Sequence, residues 1–234
     1  MQSYNGGKIL RCFCNFDGEA PRGLGMKALA LLSRKGGAGK TTLAIHLAVE
    51  AARSGAKVAI IDADPQRSAL GWWQGRDRDA PDLVEAEPGM LAQIVAGCRS
   101  AGFDLVVIDT RPSADADAIE AAGLSDLSLI AVRPSVLDLR AAAGTVEAIS
   151  AAKGRGRFVI NAAPPGRGYG EAAIVRETRS ALSGYGLPVC QSIVTARSAY
   201  SSALIGSLAV CEHDATGKAA LEISNLWNEI RGTL

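Results

Sequence analysis

A short glycine- and lysine-rich segment, residues 35–42, constrains the fold of this chain more than any other stretch. It reads Lys-Gly-Gly-Ala-Gly-Lys-Thr-Thr and is a tight variant of the pattern G-x-x-x-x-G-K-[S/T]. Glycines let the backbone curl so that successive N–H groups point at one anion. An apolar run over 26–33 precedes the segment, and apolar residues at helical spacing over 41–53 follow it. A strand, a glycine-rich loop and a helix in this order predict a phosphate-binding loop.

The side chains of this loop have separate predicted roles. Lys40 places a positive charge at the phosphates, and the Thr41 hydroxyl is a suitable ligand for Mg²⁺. The start of the following helix adds the positive end of its dipole. The residues predicted to surround the phosphates are Gly36, Gly37, Ala38, Gly39, Lys40, Thr41 and Thr42.

Apolar runs typical of buried strands recur along the chain. They lie at 57–64, 104–110, 127–132 and 157–161, with a weaker candidate at 189–194. Helical patterns separate them, near 89–100, 115–122, 137–152, 170–183, 200–208 and 215–230. This alternation predicts an α/β fold with a doubly wound, mostly parallel sheet and helices on both faces. We expect one domain over 26–234, preceded by a glycine-rich, aperiodic and poorly ordered leader at 1–25.

Two of the predicted strands end in aspartate, at the sheet edge where such folds bind ligands. Asp109 follows four apolar residues, which is the Walker B arrangement, and we predict that it holds Mg²⁺ together with Thr41. Asp62 ends the other strand. An ordinary strand-ending aspartate is the alternative for Asp109, but the phosphate-binding loop favours the functional interpretation.

The composition is that of a globular protein, with 48% hydrophobic and 21% charged residues. A net charge of +1 leaves nucleic-acid binding open. No apolar run approaches the ~20 residues of a membrane span, and the first 25 residues lack the apolar centre of a secretory signal. Five scattered cysteines suit reduced thiols, so we expect a cytoplasmic protein.

A second lysine at the start of the loop, Lys35, resembles the signature lysine of the deviant Walker A ATPases, the ParA/MinD family. The resemblance runs from about residue 26 to the C-terminus. It implies a P-loop NTPase fold, ATP and Mg²⁺ as ligands, and an ATP-dependent homodimer in which Lys35 reaches the nucleotide of the other subunit. Residues 62–66, Asp-Ala-Asp-Pro-Gln, resemble the family motif D-x-D-P-Q, which implies that Asp62 orients the attacking water. Lys35, Lys40 and Asp62 are the catalytic residues so implied for an ATPase that is weak alone and serves as a molecular switch.

Later segments match the family less completely. Arg111 stands where the family motif D-T-P-P has its first proline. Residues 133–139 resemble the P-x-x-L-D segment near the family's dimer interface. Asn161 ends a predicted strand where the family places an adenine-recognising asparagine, although Ala162 follows it in place of Arg or Lys. A turn-starting asparagine is the alternative for Asn161.

A basic segment, residues 153–197, interrupts the near-neutral chain. It contains seven Lys and Arg residues against two Glu, a net charge of +5. Arg176 and Arg179 are one helical turn apart, and Arg197 lies near the segment's end. We predict that these three arginines bind DNA phosphates without sequence preference. A solvated charged face is the alternative.

Residues 194–200, Val-Thr-Ala-Arg-Ser-Ala-Tyr, resemble a segment of the small plasmid-type ParA proteins, and this is the branch of the family that the chain resembles most. That branch implies non-specific DNA binding by the ATP-bound dimer, a centromere-binding ParB-type partner that stimulates hydrolysis, association with the nucleoid, and plasmid or chromosome partition. The alternative is a MinD-like or other cytosolic positioning ATPase that acts on a membrane or a protein complex. No membrane partner is expected, because the C-terminal helical pattern carries both Glu222 and Glu229 against Lys218 and Arg231. A reductase like nitrogenase iron protein is disfavoured, since residues 109–126 contain no cysteine.

Overall fold

Seven parallel strands pair into one sheet within the described part of the chain. The structure, a computed structural model, describes residues 25–112, 115–166 and 170–234, so the expected leader lies outside it except for Gly25. The strands are β1 (Lys27–Leu32), β2 (Val58–Ala63), β3 (Asp82–Glu85), β4 (Leu105–Thr110), β5 (Leu127–Val132), β6 (Gly156–Ala163) and β7 (Val189–Thr195). Their order across the sheet is β3-β2-β4-β1-β5-β6-β7.

Helices cover both faces of this sheet. They are α1 (Lys40–Arg53), α2 (Ser68–Gln74), α3 (Leu91–Ser100), α4 (Asp115–Leu124), α5 (Val136–Ala151), α6 (Ala173–Ser183), α7 (Ser198–Ile205), α8 (Val210–His213) and α9 (Lys218–Arg231). One core buries side chains from α1, α2, α7, α8 and α9, and the other buries side chains from α3, α4, α5 and α6. The predicted doubly wound α/β architecture is confirmed.

The central strand β1 explains why the strands of this chain read as continuous apolar runs. Leu29 and Leu31 belong to the core beneath α1, whereas Ala28, Ala30 and Leu32 belong to the opposite core. Side chains alternate between the faces of a strand, and both faces are covered by helices here. Because β1 lies between β4 and β5, the loop that follows it occupies the middle of the sheet's carboxyl edge.

The sequence patterns do not predict β3, α2 or α8. β3 has only two apolar residues in its four-residue sequence Asp-Leu-Val-Glu, and it pairs on one side only because it forms an edge of the sheet. α2 and α8 are seven and four residues long, too short for a clear helical period. β6 extends past the predicted strand at both ends, so that Asn161 lies inside β6 and not at its end.

The other edge strand, β7, is covered by side chains. Glu229 of α9 accepts the backbone N–H groups of Gln191 and Ser192 at 2.8 and 2.9 Å. Glu222, also in α9, accepts the N–H of Thr195 at 3.1 Å. An edge strand presents unpaired backbone groups that invite pairing with other chains, and these two carboxylates occupy such groups.

The C-terminal helix α9 packs on the sheet. Its buried residues are Ala219, Ala220, Ile223, Leu226, Trp227 and Ile230. These side chains are therefore used inside the protein. Among the described residues, the helices are all too short or too polar to cross a membrane.

Glu229→Gln should destabilise the fold. Burial favours a raised pKa for Glu229, but the N–H groups of Ser192 and Gln191 outweigh burial and lower it. A depressed carboxyl pKa contributes stability above the unfolded pKa of about 4.3, and this stability is lost as pH falls through the folded value. An amide accepts at only one of its two atoms. At pH 7 we therefore expect the variant to lose about 1–3 kcal/mol of the free energy of unfolding, as measured by urea titration.

The matched control is Glu177→Gln, which removes the same charge from an exposed position on α6. It should leave the unfolding midpoint unchanged. Equal midpoints for both variants would show that Glu229 does not hold α9 to the sheet edge.

Candidate functional site

The phosphate-binding loop connects the end of β1 to the start of α1. Gly37 and Gly39 have φ angles of 73° and 92°, a left-handed conformation that glycine adopts without strain. A Cβ at Gly39 would also lie 2.2 Å from Asn161 Nδ2, so that position has no room for a side chain. No side chain caps the start of α1, which leaves its first N–H groups available to an anion.

Asn161 clamps this loop from β6. Its side-chain Nδ2 donates a hydrogen bond to the Ala38 carbonyl at 2.7 Å, and the residue is buried. The strand thereby fixes the loop's curvature from the side. Adenine recognition by Asn161 stays a prediction, and the amide has its carbonyl oxygen left for such a contact.

Lys40 and Asp109 lie close enough beneath the loop for their charges to interact. Burial lowers the pKa of Lys40, while the charges of Asp109 and Asp64 act against this shift. Asp109 is 0% exposed, and among the described residues neither carboxylate oxygen has a hydrogen-bond partner. Burial raises its pKa to about 7, and the nearby Thr41 hydroxyl opposes that rise without forming a bond of normal geometry.

These groups fit a Mg²⁺ ion. A buried carboxylate without a partner is costly unless a cation approaches it, and Thr41, the other predicted ligand, lies beside it. The described residues contain no cluster of three or more His, Cys, Asp or Glu side chains suited to a metal. Mg²⁺ commonly uses one or two protein ligands and completes its shell with phosphate and water, which agrees with this sparse donor set.

Asp62 lies next to Asp109 in the paired register of β2 and β4. Its two oxygens accept the N–H groups of Asp64 at 3.2 Å and Leu70 at 3.0 Å. Burial raises the pKa of Asp62, against the effect of these two hydrogen bonds. Asp62 therefore shapes the 64–67 connection between β2 and α2, and each oxygen keeps a lone pair for a further donor.

The segment after Asp109 is tied to both neighbours. Thr110 Oγ1 donates to the Leu31 carbonyl at 2.7 Å, which joins β4 to the end of β1. Arg111 Nε donates to Asp117 of α4. The arginine that departs from the family pattern thus has a local carboxylate partner. Ser113, the next residue of that motif after Pro112, lies outside the described residues.

Lys35 and its neighbour Arg34 form the start of the loop. Lys35 is half-buried, and its backbone N–H donates to Ser33 Oγ at 3.3 Å. Arg34 occupies the position of the first glycine in the general loop pattern. Its guanidinium lies over α5, since a Cβ at Gly144 would stand 1.9 Å from Arg34 Nη1.

Sequence reasoning gave Arg133 no role, yet the structure places it against the loop. Its Nε and Nη2 donate to the two oxygens of Asp138 at 2.9 and 3.2 Å. Its Nη1 lies 3.8 Å from where a Cβ would stand on Gly37. The available signal was the Arg133-to-Asp138 spacing around Ser135, which caps α5 by accepting the Asp138 N–H.

The three arginines predicted to bind DNA do not form one patch. Arg179 pairs with Glu171 and donates to the carbonyls of Cys190 and Gln191, near the start of β7. Arg197 follows the other end of β7 and donates to Glu222 at 2.6 and 2.9 Å. Arg176 is exposed and donates to the Glu171 carbonyl at 2.7 Å. DNA binding by these residues stays a prediction, and Arg176 is the most accessible of them.

Comparisons with known proteins agree with this geometry. A family model described as the CobQ/CobB/MinD/ParA nucleotide binding domain matches residues 29–208. The "Maintenance of carboxysome distribution protein A" of Halothiobacillus neapolitanus is 30% identical over 213 residues, which cover 86% of this chain and 95% of that protein. A protein of the same name from Gloeobacter kilaueensis is 32% identical over 190 residues, 80% of this chain and 84% of that protein.

A solved structure is also similar. The Cyanothece McdA variant in complex with ATP matches with a TM-score of 0.72 over 90% of this chain and 97% of that chain. At 17% sequence identity, this likeness bears on the fold alone.

Asp109→Asn should stabilise the nucleotide-free, metal-free protein at high pH. A raised carboxyl pKa lowers stability progressively as pH rises from the unfolded value of about 3.9 to the folded value of about 7. The amide removes this cost, so the gain should be at most about 4 kcal/mol at pH 8, given about 1.4 kcal/mol for each of the roughly 3 pKa units between the two values. Thermal unfolding without Mg²⁺ from pH 5 to pH 8 measures it.

Asp79→Asn serves as the control, since it removes the same charge from an exposed carboxylate and leaves the buried one in place. The difference in unfolding temperature between Asp109→Asn and the wild type should narrow towards pH 5. If the variant is no more stable than the wild type at pH 8, the charged Asp109 is stabilised by groups of the protein itself.

Proposed function

The chain belongs to the CobQ/CobB/MinD/ParA family of nucleotide-binding ATPases, and from this premise we propose that it is a ParA-type positioning ATPase that switches between a monomer and an ATP-bound dimer. The observation that carries the proposal is the buried Asp109 carboxylate, which has no hydrogen-bond partner among the described residues and lies beside Lys40 and Thr41 under a glycine-rich loop. That arrangement suits the phosphates of Mg-ATP.

Each group of the site has a part in hydrolysis. Lys40 and the start of α1 hold the phosphates in the loop. Bound Mg²⁺ neutralises phosphate charge in the transition state. Asp62, held by two backbone N–H groups, orients the attacking water through its remaining lone pairs. Lys35, at the mouth of the loop, extends to the nucleotide of a second subunit and couples binding to dimerisation.

The dimer binds DNA without sequence preference. Several cations of the basic segment are exposed, namely Lys153, Arg155 and Arg176. A dimer carries two sets of these exposed cations, which raises the affinity by multivalency. Arg179 and Arg197 are held by their ion pairs with Glu171 and Glu222.

The cargo divides two forms of this proposal. In the first, a centromere-binding ParB-type partner stimulates hydrolysis, and the nucleoid-associated protein partitions a plasmid or chromosome. In the second, the cargo is a cytosolic protein assembly. The two relatives named for carboxysome distribution, which match along most of their length, favour this second form. Deletion of the gene separates the two forms. Loss of a plasmid that is not under selection would support the first form, and clustering of a cytosolic protein body would support the second.

Lys40→Ala and Lys35→Ala should have different effects. Lys40→Ala should abolish Mg-ATP binding, because it removes the charge at the centre of the loop. Lys35→Ala should retain ATP binding and lose dimerisation. Calorimetry measures the affinity, and light scattering with a slowly hydrolysed ATP analogue measures the dimer. Normal dimerisation of Lys35→Ala would refute the trans role of Lys35.

DNA binding should require the ATP state. We expect a random-sequence duplex to bind with a slowly hydrolysed ATP analogue but not with ADP, and to dissociate steeply as salt rises. Arg176→Gln should lower the slope of log affinity against log salt by about one unit for each contact removed. Arg179→Gln is the matched comparison, because it should lower thermal stability more than it changes this slope. Absence of DNA binding in both nucleotide states would turn the proposal to a membrane or protein target.

A further inference from the structure

Arg133 stands at the carboxyl end of β5, the strand beside β1 in the sheet. Both strands end at the same edge, so Arg133 and the phosphate-binding loop are neighbours. The guanidinium uses two of its nitrogens on Asp138 and turns the third, Nη1, towards Gly37. The side chain is 35% exposed, which leaves it accessible from solvent.

Asp138 fixes this orientation. It is buried and also accepts a hydrogen bond from Ser135 Oγ at 2.6 Å. Its backbone N–H is bonded to the same hydroxyl at 3.1 Å, at the start of α5. Although burial favours a raised pKa for Asp138, the hydrogen bonds from Arg133 and Ser135 lower it. A charged Asp138 therefore holds the planar guanidinium by two bonds, a geometry that restricts its rotation.

The placement of a cation at this loop needs an explanation. The loop N–H groups and the start of α1 already form a positive region, and Lys40 adds a full charge beneath it. A further cation facing Gly37 is repelled by these groups, and its ion pair with Asp138 offsets that repulsion. An anion bound in the loop would be attracted by all of them at once. Guanidinium groups also match the geometry of phosphate oxygens.

We propose that Arg133 binds the phosphate chain of the nucleotide held by its own loop, with Asp138 as the positioning residue for its guanidinium. The inference rests on the proposed nucleotide binding and adds a substrate-binding residue in cis. Lys35 acts on the nucleotide of the other subunit, whereas Arg133 acts within one chain. Its effect is therefore present in the monomer.

Arg133→Gln and Arg133→Lys test this inference by calorimetry with Mg-ATP and with magnesium triphosphate, which lacks the base and ribose. Because a charged hydrogen bond is lost, the affinity for both ligands should fall roughly tenfold to a hundredfold. Arg133→Lys keeps the charge and a single nitrogen for Asp138, but it leaves no second nitrogen for phosphate, so it should also weaken binding. The protein is kept below its dimerisation concentration, and Lys35→Ala provides a monomeric background.

Arg140→Gln is the control, since Arg140 is exposed on the same helix, two residues after Asp138. It should leave both affinities unchanged. A purely structural Arg133 would lower thermal stability without nucleotide and leave the affinity of the folded protein intact, which would overturn the inference. A defect confined to dimerisation would also overturn it. If Arg133→Gln does not fold, Arg133→Lys decides the question.

The same experiment separates the two proposals. Wild-type protein that binds Mg-ATP together with unaffected Arg133 variants would refute only the role of Arg133. Wild-type protein that binds neither ligand would refute nucleotide binding and, with it, the role of Arg133.

Discussion

The buried Asp109 carboxylate is the constraint on which the rest of the site depends. It stands at the end of β4, between the strands that carry the phosphate-binding loop and Asp62. With both oxygens partnerless among the described residues, it carries an electrostatic cost that a cation removes. Lys40 beside it is likewise buried with a lowered pKa. The two groups attract each other, and a nucleotide with its metal, bound as proposed, would add further partners for both. Stability in the empty protein and affinity for ligand are thus opposed at this point.

Asp62, near the end of β2, is connected to a distant part of the protein. Asp62 accepts the N–H of Leu70 in α2, and Trp72 of the same helix donates to the Leu208 carbonyl at 3.2 Å. Arg76 stacks on Trp72 with its guanidinium carbon 4.4 Å from the ring centroid. It also pairs with Glu212 of α8, where the two side chains are 1% and 8% exposed. These contacts link the position of Asp62 to a buried ion pair on the α1 face of the sheet.

The sequence patterns predicted the parts of this protein that follow from local order. The loop between β1 and α1, the aspartates at the ends of β2 and β4, and the alternation that produces the parallel sheet are all encoded within short windows. The patterns did not predict β3, because an edge strand of four residues needs little apolar sequence. They did not predict the position of Arg133 beside the loop, because it depends on the pairing of β5 with β1, and three other strands separate these two along the chain. The same holds for Asn161, whose clamp on Ala38 joins residues 123 positions apart.

Charge counting over 153–197 has the same limitation, for a reason that concerns the DNA surface. The excess of arginine is real, but Arg157, Arg179 and Arg197 face carboxylates, and two of these, Glu229 and Glu222, come from α9. Those two glutamates also occupy the open backbone groups of β7. Their negative charges therefore protect a sheet edge and neutralise cations in one arrangement. Turning Arg157 or Arg197 towards DNA would break its ion pair and leave a glutamate charge unneutralised beside the edge strand. The cations available to DNA without this cost are the exposed ones away from β7, so the accessible basic surface is smaller than the net charge of the segment indicates.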